Sequence, residues 1–170
     1  AALHNGFYED AGLDVTIAAG GPGIDVYEEV GSGRADFGVC GSEVLLKRLD
    51  GEPFVALAVI FQHSPSALMT LRSSGLNDPH DLAGRTLMLA RQGEPDLWAM
   101  FLHEGIDLDS LILAEPTWDL EELVQGQVDA MAAYITNTPF PLKERGISYN
   151  LIRPVTYGVD FYGDGIFSLE

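Results

Sequence analysis

The sequence predicts an α/β protein with two lobes, and three observations support this prediction. Short apolar segments alternate with segments of helical periodicity along the chain, as in open α/β sheets. The stretch 33–42 has an echo at 126–137, since both begin with glycine, a polar residue, a small apolar residue and aspartate, followed by an apolar run. Two extended segments interrupt the alternation. We therefore expect two similar units, with ligand bound where the strands end.

The predicted lobe boundaries follow from these interruptions. The first predicted lobe comprises residues 1–64 together with 160–170, and we expect it to be incomplete, without its first strand. The second lobe comprises residues 73–155. Segments 65–72 and 156–162 are predicted to cross between the lobes, so the polar residues near them form either a hinge or a ligand wall.

The elements of the first lobe are predicted from periodicity and from capping residues. Ser42 is expected to cap a helix, and the continuously apolar run at 54–61 is typical of a strand buried on both faces. The glycine-rich turn at 20–23 lacks the spacing of dinucleotide-binding and phosphate-binding loops. In chain order the predicted elements are helical turns over 1–5 and 7–12, a strand over 13–17, helices over 24–30 and 43–49 on either side of a strand over 35–39, and a strand over 54–61.

The second lobe repeats this alternation after a strand that resumes at 67–71. Asp119 is expected to cap a helix, and 128–134 is the strand that echoes the first lobe. A further strand is expected at the end of the chain. The predicted elements are a short helix over 78–84, a strand over 85–90, a helix over 96–103, a strand over 111–113, a helix ending at 124, the strand over 128–134, a helix from 138 to 146 and a strand over 149–152.

Composition excludes several classes of partner. The chain has 170 residues and a net charge of −17 with only 9 Lys plus Arg, which argues against nucleic acid and anionic membrane surfaces. No segment approaches the ~20 apolar residues of a membrane-spanning helix. The single cysteine excludes an intramolecular disulfide.

No set of residues matches a catalytic or metal-binding motif. The chain lacks a Gly-x-Ser-x-Gly elbow, and its four histidines are dispersed, without zinc-ligand spacing. A pair formed by Cys40 and His63 stays open as a nucleophilic alternative, although a small buried thiol is the simpler interpretation. Lys47 and Lys143 lie within predicted helices, which disfavours a Schiff base at either residue.

The ends of the predicted strands and crossings carry aromatic rings and hydrogen-bonding groups. Rings hold a planar heterocycle by stacking, while amides and carboxylates pair with its edge. The alternative role of each aromatic residue is packing in the core or at the rim. The alternative role of Glu94 is a negative charge that stabilises the dipole of the following helix. The stacking candidates are Trp118, Tyr134, Phe161 and Tyr162, and the polar candidates are Gln62, His63, Gln92, Glu94, Asn137 and Asp164. Cys40, Gly41 and Ser42 are expected to present backbone donors at a helix start.

Several groups of residues occur in an order that identifies a family. They are Asn-Gly-Phe-Tyr-Glu-Asp-Ala-Gly-Leu-Asp-Val (5–15), Gly-Gly-Pro-Gly (20–23), Gly-Arg-Ala-Asp-Phe-Gly (33–38), Phe-Gln-His-Ser-Pro (61–65), Asp-Leu-Ala-Gly-Arg (81–85), Asp-Ala-Met (129–131), Tyr-Ile-Thr-Asn-Thr-Pro (134–139) and Asp-Phe-Tyr-Gly-Asp (160–164). With this ordered set, the sequence resembles the THI5-like (NMT1-type) branch of periplasmic solute-binding proteins.

The resemblance implies a two-lobed periplasmic binding protein-like fold of type II, with mixed sheets and a central ligand cleft. In that family a first strand normally precedes Ala1 and helices normally follow Glu170. The implied function is a periplasmic or extracytoplasmic, non-catalytic domain without a cofactor, which closes on a thiamine-pyrimidine-like heterocycle. The implied partner is an ABC permease or a fused diguanylate cyclase or histidine kinase. The residues at 62–64 and 162–164 favour the fused, sensor-type group.

An enzyme of the same fold is the main alternative. The pyrimidine precursor synthases that share this fold carry a cysteine-rich iron motif and a lysine that joins the pyridoxal cofactor. Here Cys40 is the only cysteine, and no lysine lies near a predicted rim. These departures favour a binding domain over a pyridoxal- or iron-dependent synthase. A dimerisation module without a ligand is a third possibility.

Overall fold

The computed structural model describes residues 1–21, 23–91 and 94–170, so that Pro22 of the glycine-rich turn and the rim candidate Gln92 lie outside the described residues. The architecture is α/β with two separate sheets. The helices are α1 (Phe7–Asp10), α2 (Val26–Gly31), α3 (Val44–Leu49), α4 (Pro95–His103), α5 (Leu120–Val124) and α6 (Phe140–Glu144). The strands are β1 (Gly38–Cys40), β2 (Phe54–Val59), β3 (Ser66–Leu71), β4 (Thr86–Met88), β5 (Ile112–Ala114), β6 (Ala130–Tyr134), β7 (Tyr149–Ile152) and β8 (Gly165–Leu169).

The five-stranded sheet has the order β5-β4-β6-β3-β7 and is mixed. Strand β4 runs parallel to β5 and β6, whereas β3 runs antiparallel to β6 and β7. Short 3₁₀ turns connect several of these elements, at Arg72–Ser74, Pro79–Leu82, Leu108–Ser110 and Pro154–Tyr157. The predicted α/β class with mixed sheets is therefore confirmed.

Both faces of the five-stranded sheet are buried, because neighbouring residues of a strand point to opposite faces. Leu68 and Leu87 belong to one apolar cluster, in which Phe101 of α4 is fully buried. Met69 and Met131, which are paired across β3 and β6, belong to a second cluster with residues of α5 and α6. This sheet therefore has the two-layered core of a stable α/β unit.

The three-stranded sheet has the order β1-β8-β2 and is antiparallel throughout. Its buried cluster consists of only Val30, Val44, Phe54 and Phe167, supported by partly buried neighbours. The rings of Phe54 and Phe167 meet edge to face, with their centroids 5.3 Å apart. This sheet buries one face on α2 and α3, and much of its other surface is exposed.

Gly38 is required by the close packing in this cluster. A Cβ atom on residue 38 would lie 2.3 Å from Cε1 of Phe167 and 2.8 Å from Cγ2 of Val26. Both distances are far below van der Waals contact. The glycine of β1 therefore lets α2 and β8 approach closely.

Most predicted elements are present, but three predictions about the first part of the chain are wrong. Residues 13–17 form no strand: no strand of the described residues pairs with them, and Ile17 is 63% exposed. Strand β2 is not buried on both faces, since it lies at the sheet edge and Leu57 is 53% exposed. Ser42 is not the cap of α3, because Glu43 holds that position in a helical conformation without a capping side-chain bond.

The capping prediction for α5 is confirmed. Asp119 is the N-cap, and its side chain accepts a hydrogen bond of 2.9 Å from the backbone N–H of Glu121. Within the described ranges, no helix has both the length and the apolar character needed to cross a membrane.

Candidate functional site

A first cavity of about 350 Å³ opens where β6 ends and α4 begins. This is the expected place for a ligand in an open α/β sheet. Its polar and aromatic groups come from the segments that precede α4 and α5 and from the turn after β6. The lining residues are Ser66, Glu94, Leu97, Trp118, Met131, Ala132, Ala133, Tyr134, Asn137 and Thr138.

The walls of this first cavity are held by local backbone features. Trp118 has a φ of +60°, a left-handed conformation that is unfavourable for a bulky residue and costs on the order of 1–3 kcal/mol. The hydroxyl of Thr138 accepts a hydrogen bond of 3.1 Å from the N–H of Tyr134 and thereby fastens the turn that carries Asn137. This backbone conformation places the indole ring of Trp118 at the cavity wall, where the side chain is half exposed.

A second cavity of about 550 Å³ lies beside α3, residues 62–63 and residues 160–162. Its wall combines leucine, proline and aromatic side chains with five polar or charged ones. Its lining residues are Ser42, Glu43, Leu45, Leu46, Gln62, His63, Pro95, Asp160, Phe161 and Tyr162. Because Glu94 of the first cavity is followed by Pro95 of the second, the start of α4 borders both.

Hydrogen bonds join the elements around the two cavities. Tyr134 at the end of β6 donates to Oδ1 of Asp164 over 3.1 Å, and thereby links the five-stranded sheet to the segment that enters β8. Ser64 donates to the buried Asp96 of α4. Nδ1 of His63 lies 2.5 Å from Oδ2 of Asp160. These contacts join residues 60–65 both to α4 and to the return segment before β8.

Acidic groups dominate the electrostatics between the two cavities. Burial, together with the nearby carboxylates of Asp96 and Glu43, raises the pKa of Glu94 to about 7. Burial also raises the pKa of Glu43, with Asp96 and Asp164 adding to the effect. The pKa of Tyr134 is raised, chiefly by burial and then by Asp164. Among the described residues that line the cavities, none is lysine or arginine.

The predicted binding residues separate into three groups. Glu94, Trp118, Tyr134 and Asn137 line the first cavity, whereas Ser42, Gln62, His63, Phe161 and Tyr162 line the second. Asp164 lines neither cavity but accepts the hydrogen bond from Tyr134 of the first. Cys40 and Gly41 line neither cavity.

Cys40 and His63 do not pair with each other in the part of the chain that the structure describes. The thiol of Cys40 donates to the carbonyl of Gly41 over 3.2 Å, and burial raises the pKa of this thiol. His63 is engaged with Asp160 instead. A protonated thiol is a poor nucleophile, so the Cys40–His63 alternative loses its basis.

Sequence reasoning missed several lining residues. Glu43 and Asp160 are next to predicted candidates, so their position was the available signal. Asp96, which lines neither cavity but acts on Glu94, had no such signal, because an aspartate in the first turn of a helix is usually exposed, and here it is buried. No group of three or more His, Cys, Asp or Glu residues suited to a metal ion occurs within residues 1–21, 23–91 and 94–170.

Comparison with known sequences gives a consistent family. The NMT1/THI5-like family model matches residues 1–170. A formylaminopyrimidine-binding protein of Halalkalibacterium halodurans is 28% identical over 168 residues, which is 96% of this chain and 51% of that protein. A 4-amino-5-hydroxymethyl-2-methylpyrimidine phosphate synthase of Legionella pneumophila is 31% identical over 81 residues, 47% of this chain and 26% of that enzyme. The chain thus spans about half the length, or less, of these curated relatives.

Comparison with solved structures identifies the fold. The periplasmic aliphatic sulphonate-binding protein of Escherichia coli superposes with a TM-score of 0.75 at 15% identity, covering 99% of this chain and 56% of that protein. At this identity the likeness concerns the fold alone. The predicted periplasmic binding protein-like fold is therefore confirmed.

Proposed function

Because the chain belongs to the NMT1/THI5-like family, we propose that it is the ligand-binding part of an extracytoplasmic solute-binding protein. Its ligand is a planar, pyrimidine-like heterocycle, and it acts without catalysis. The observation that carries this proposal is the composition of the first cavity. A strained Trp118 and a half-buried Tyr134 offer ring faces there, while Asn137 and Glu94 offer polar groups for a ring edge.

The ligand class follows from size and charge. A cavity of about 350 Å³ lies at the lower end of the range for small-molecule sites, which suits a single substituted ring. The absence of lysine and arginine from the described lining disfavours free anions such as sulphonates. A formylaminopyrimidine-binding relative supports a nitrogen heterocycle as the ligand.

The predicted lobes supply a mechanism for signalling that the site is occupied. Residues 1–64 with 160–170 would move relative to residues 73–155, and ligand would favour the closed arrangement by binding it more tightly. The hydrogen bonds from Tyr134 to Asp164 and from Ser64 to Asp96 each join the two predicted lobes, so such a movement would change their lengths. We propose an ABC permease as the partner that reads closure, with a fused signalling module as the alternative.

Binding can be tested by thermal shift and calorimetry with aminopyrimidines, a sulphonate and an amino acid. A ligand at 100 times its dissociation constant should stabilise the protein by about 2.7 kcal/mol. The double variant Trp118→Ala with Asn137→Ala should weaken aminopyrimidine binding about 30-fold, since a lost stacking contact and a lost hydrogen bond each cost about 1 kcal/mol.

A matched control is Phe140→Ala with Asn77→Ala, which removes an exposed ring and an exposed amide that line neither cavity. This control should bind like the wild type. Unchanged affinity of the Trp118/Asn137 variant would remove the first cavity from consideration. Tight binding of the sulphonate in place of pyrimidines would contradict the proposed ligand class.

The synthase-like relative keeps an enzyme as the second candidate. Pyridoxal chemistry would need a lysine adduct, yet neither Lys47 nor Lys143 lines a described cavity. Nζ of Lys47 lies 5.3 Å from the ring centroid of Tyr27, in a cation–π contact. Absorbance of an imine after incubation with pyridoxal phosphate, lost on Lys47→Ala or Lys143→Ala, would support the enzyme over the binding protein.

A further inference from the structure

Glu94 lines the first cavity, and the proposed function does not explain why its carboxyl group is buried without a full set of partners. Glu94 immediately precedes α4, but its carboxyl group makes no capping hydrogen bond to that helix. One oxygen, Oε2, is fully buried and has no hydrogen-bond partner among the described residues. The side chain is thus partly removed from water without being used by its own helix, although burying a carboxyl group in this way is unfavourable.

The groups that face Glu94 from the surrounding elements are acidic or neutral. Asp96, which belongs to α4 and accepts from Ser64, and Glu43, which precedes α3, both raise the pKa of Glu94, and a backbone hydrogen bond to Ala90 only partly opposes them. Among the described lining residues of the two cavities, His63 is the one basic side chain, and it is engaged with Asp160. No lysine or arginine of the described lining balances a negative charge on Glu94.

This environment opposes an additional negative charge and therefore favours a proton on Glu94. Burial and the Asp96 and Glu43 carboxylates raise the pKa of Glu94 to about 7, so that the proton is exchangeable near neutral pH. A carboxyl group with one proton presents a donor and an acceptor side by side. An amino group next to a ring nitrogen presents the complementary acceptor and donor.

We propose that Glu94 recognises such an amidine-like edge of the ligand by sharing one proton with its ring nitrogen. The proposal rests on the proposed function of the first cavity and adds to it the ligand edge that is selected. Without the shared proton, the second carboxylate oxygen would face the lone pair of the ring nitrogen and repel it. The same carboxyl group would disfavour sulphonates and carboxylates.

The proposal is tested by calorimetry of the full chain with 4-aminopyrimidine and with 4-methylpyrimidine, which lacks the amino donor. Between pH 6.5 and 8.5, 4-aminopyrimidine should bind with uptake of a proton at the upper end. Its affinity should fall about tenfold for each pH unit above 7, because one proton is linked to binding. Affinity for 4-aminopyrimidine that is independent of pH would overturn the role of Glu94 and leave the proposed function standing.

Glu94→Gln separates the charge from the shape of the side chain. Glutamine keeps a donor and an acceptor side by side, so this variant should bind 4-aminopyrimidine with little dependence on pH. Glu94→Ala should lose at least about tenfold in affinity at pH 6.5. The matched control Glu144→Gln, on the exposed end of α6, should keep the wild-type pH dependence.

The outcomes of these measurements are distinguishable. A Glu94→Gln variant with the wild-type pH profile, or equal affinity for 4-methylpyrimidine and 4-aminopyrimidine, would overturn the proton-sharing contact alone. Failure of every pyrimidine to bind the wild-type protein would overturn the proposed function and this contact together.

Discussion

The two sheets of this protein differ in how completely they are buried. The five-stranded sheet has apolar clusters on both faces, with Leu87, Met88 and Met131 almost fully buried. The three-stranded sheet has one small cluster, and both of its outer strands, β1 and β2, expose apolar side chains such as Val39 and Leu57. Since apolar burial is the main source of stability, we expect the five-stranded sheet to supply most of it.

The two cavities differ in the same way, because their walls come from different parts of the two sheets and their helices. The first cavity draws its strand residues, Ser66 and 131–134, from the five-stranded sheet and therefore has a firm wall. The second cavity draws on α3, which packs on the smaller cluster through Val44, and on residues 62–63 and 160–162 outside the strands. Binding geometry is more precise on rigid elements. We therefore place ring recognition in the first cavity and expect the second to change shape more easily.

The largest effect is expected from Leu87→Ala compared with Leu57→Ala. Leu87 is fully buried in the five-stranded sheet, so its truncation should reduce the free energy of unfolding by about 2–5 kcal/mol. Leu57 is half exposed on β2, and its truncation should change the free energy of unfolding by less than about 1 kcal/mol. Urea unfolding, with the slopes compared as well as the midpoints, measures both. Equal losses would show that the two sheets contribute alike.

A smaller effect is expected within the three-stranded sheet. Gly38→Ala would force a Cβ atom against Phe167 and Val26 and should reduce the free energy of unfolding by about 1–3 kcal/mol. Gly31→Ala is the matched control, because its Cβ would make an ordinary contact, 3.5 Å from Cζ of Phe54. If both substitutions proved neutral in thermal unfolding, the small cluster would be too loosely packed to matter.

The smallest effect is expected at the starts of α3 and α5, where the sequence predicts a capping side chain in both cases. Asp119→Ala removes a side-chain bond to the N–H of Glu121 and should cost about 1 kcal/mol. Ser42→Ala should leave stability almost unchanged, because the N-cap residue of α3 is Glu43 and no side chain makes a capping hydrogen bond there. Chemical denaturation of both variants checks this. A cost for Ser42→Ala equal to that for Asp119→Ala would restore Ser42 as a cap.

The sequence by itself determined the α/β class, the family and most elements of the second part of the chain. Periodicity and capping are local signals, so α4, the cap at Asp119 and strand β7 at Tyr149–Ile152 lie close to their predicted positions. The ends of strands are likewise indicated by local patterns, and four candidates predicted from them, Glu94, Trp118, Tyr134 and Asn137, line one cavity in the structure.

Only the tertiary structure decided which local patterns are used and which residues meet. Residues 13–17 alternate like a strand but pair with no strand in the part of the chain that the structure describes, and β2 is apolar but lies at an edge. The division of the candidates between two cavities, the burial of Asp96 and the unpartnered oxygen of Glu94 depend on contacts between residues far apart in the chain. Such contacts set desolvation and charge, and no local pattern encodes them.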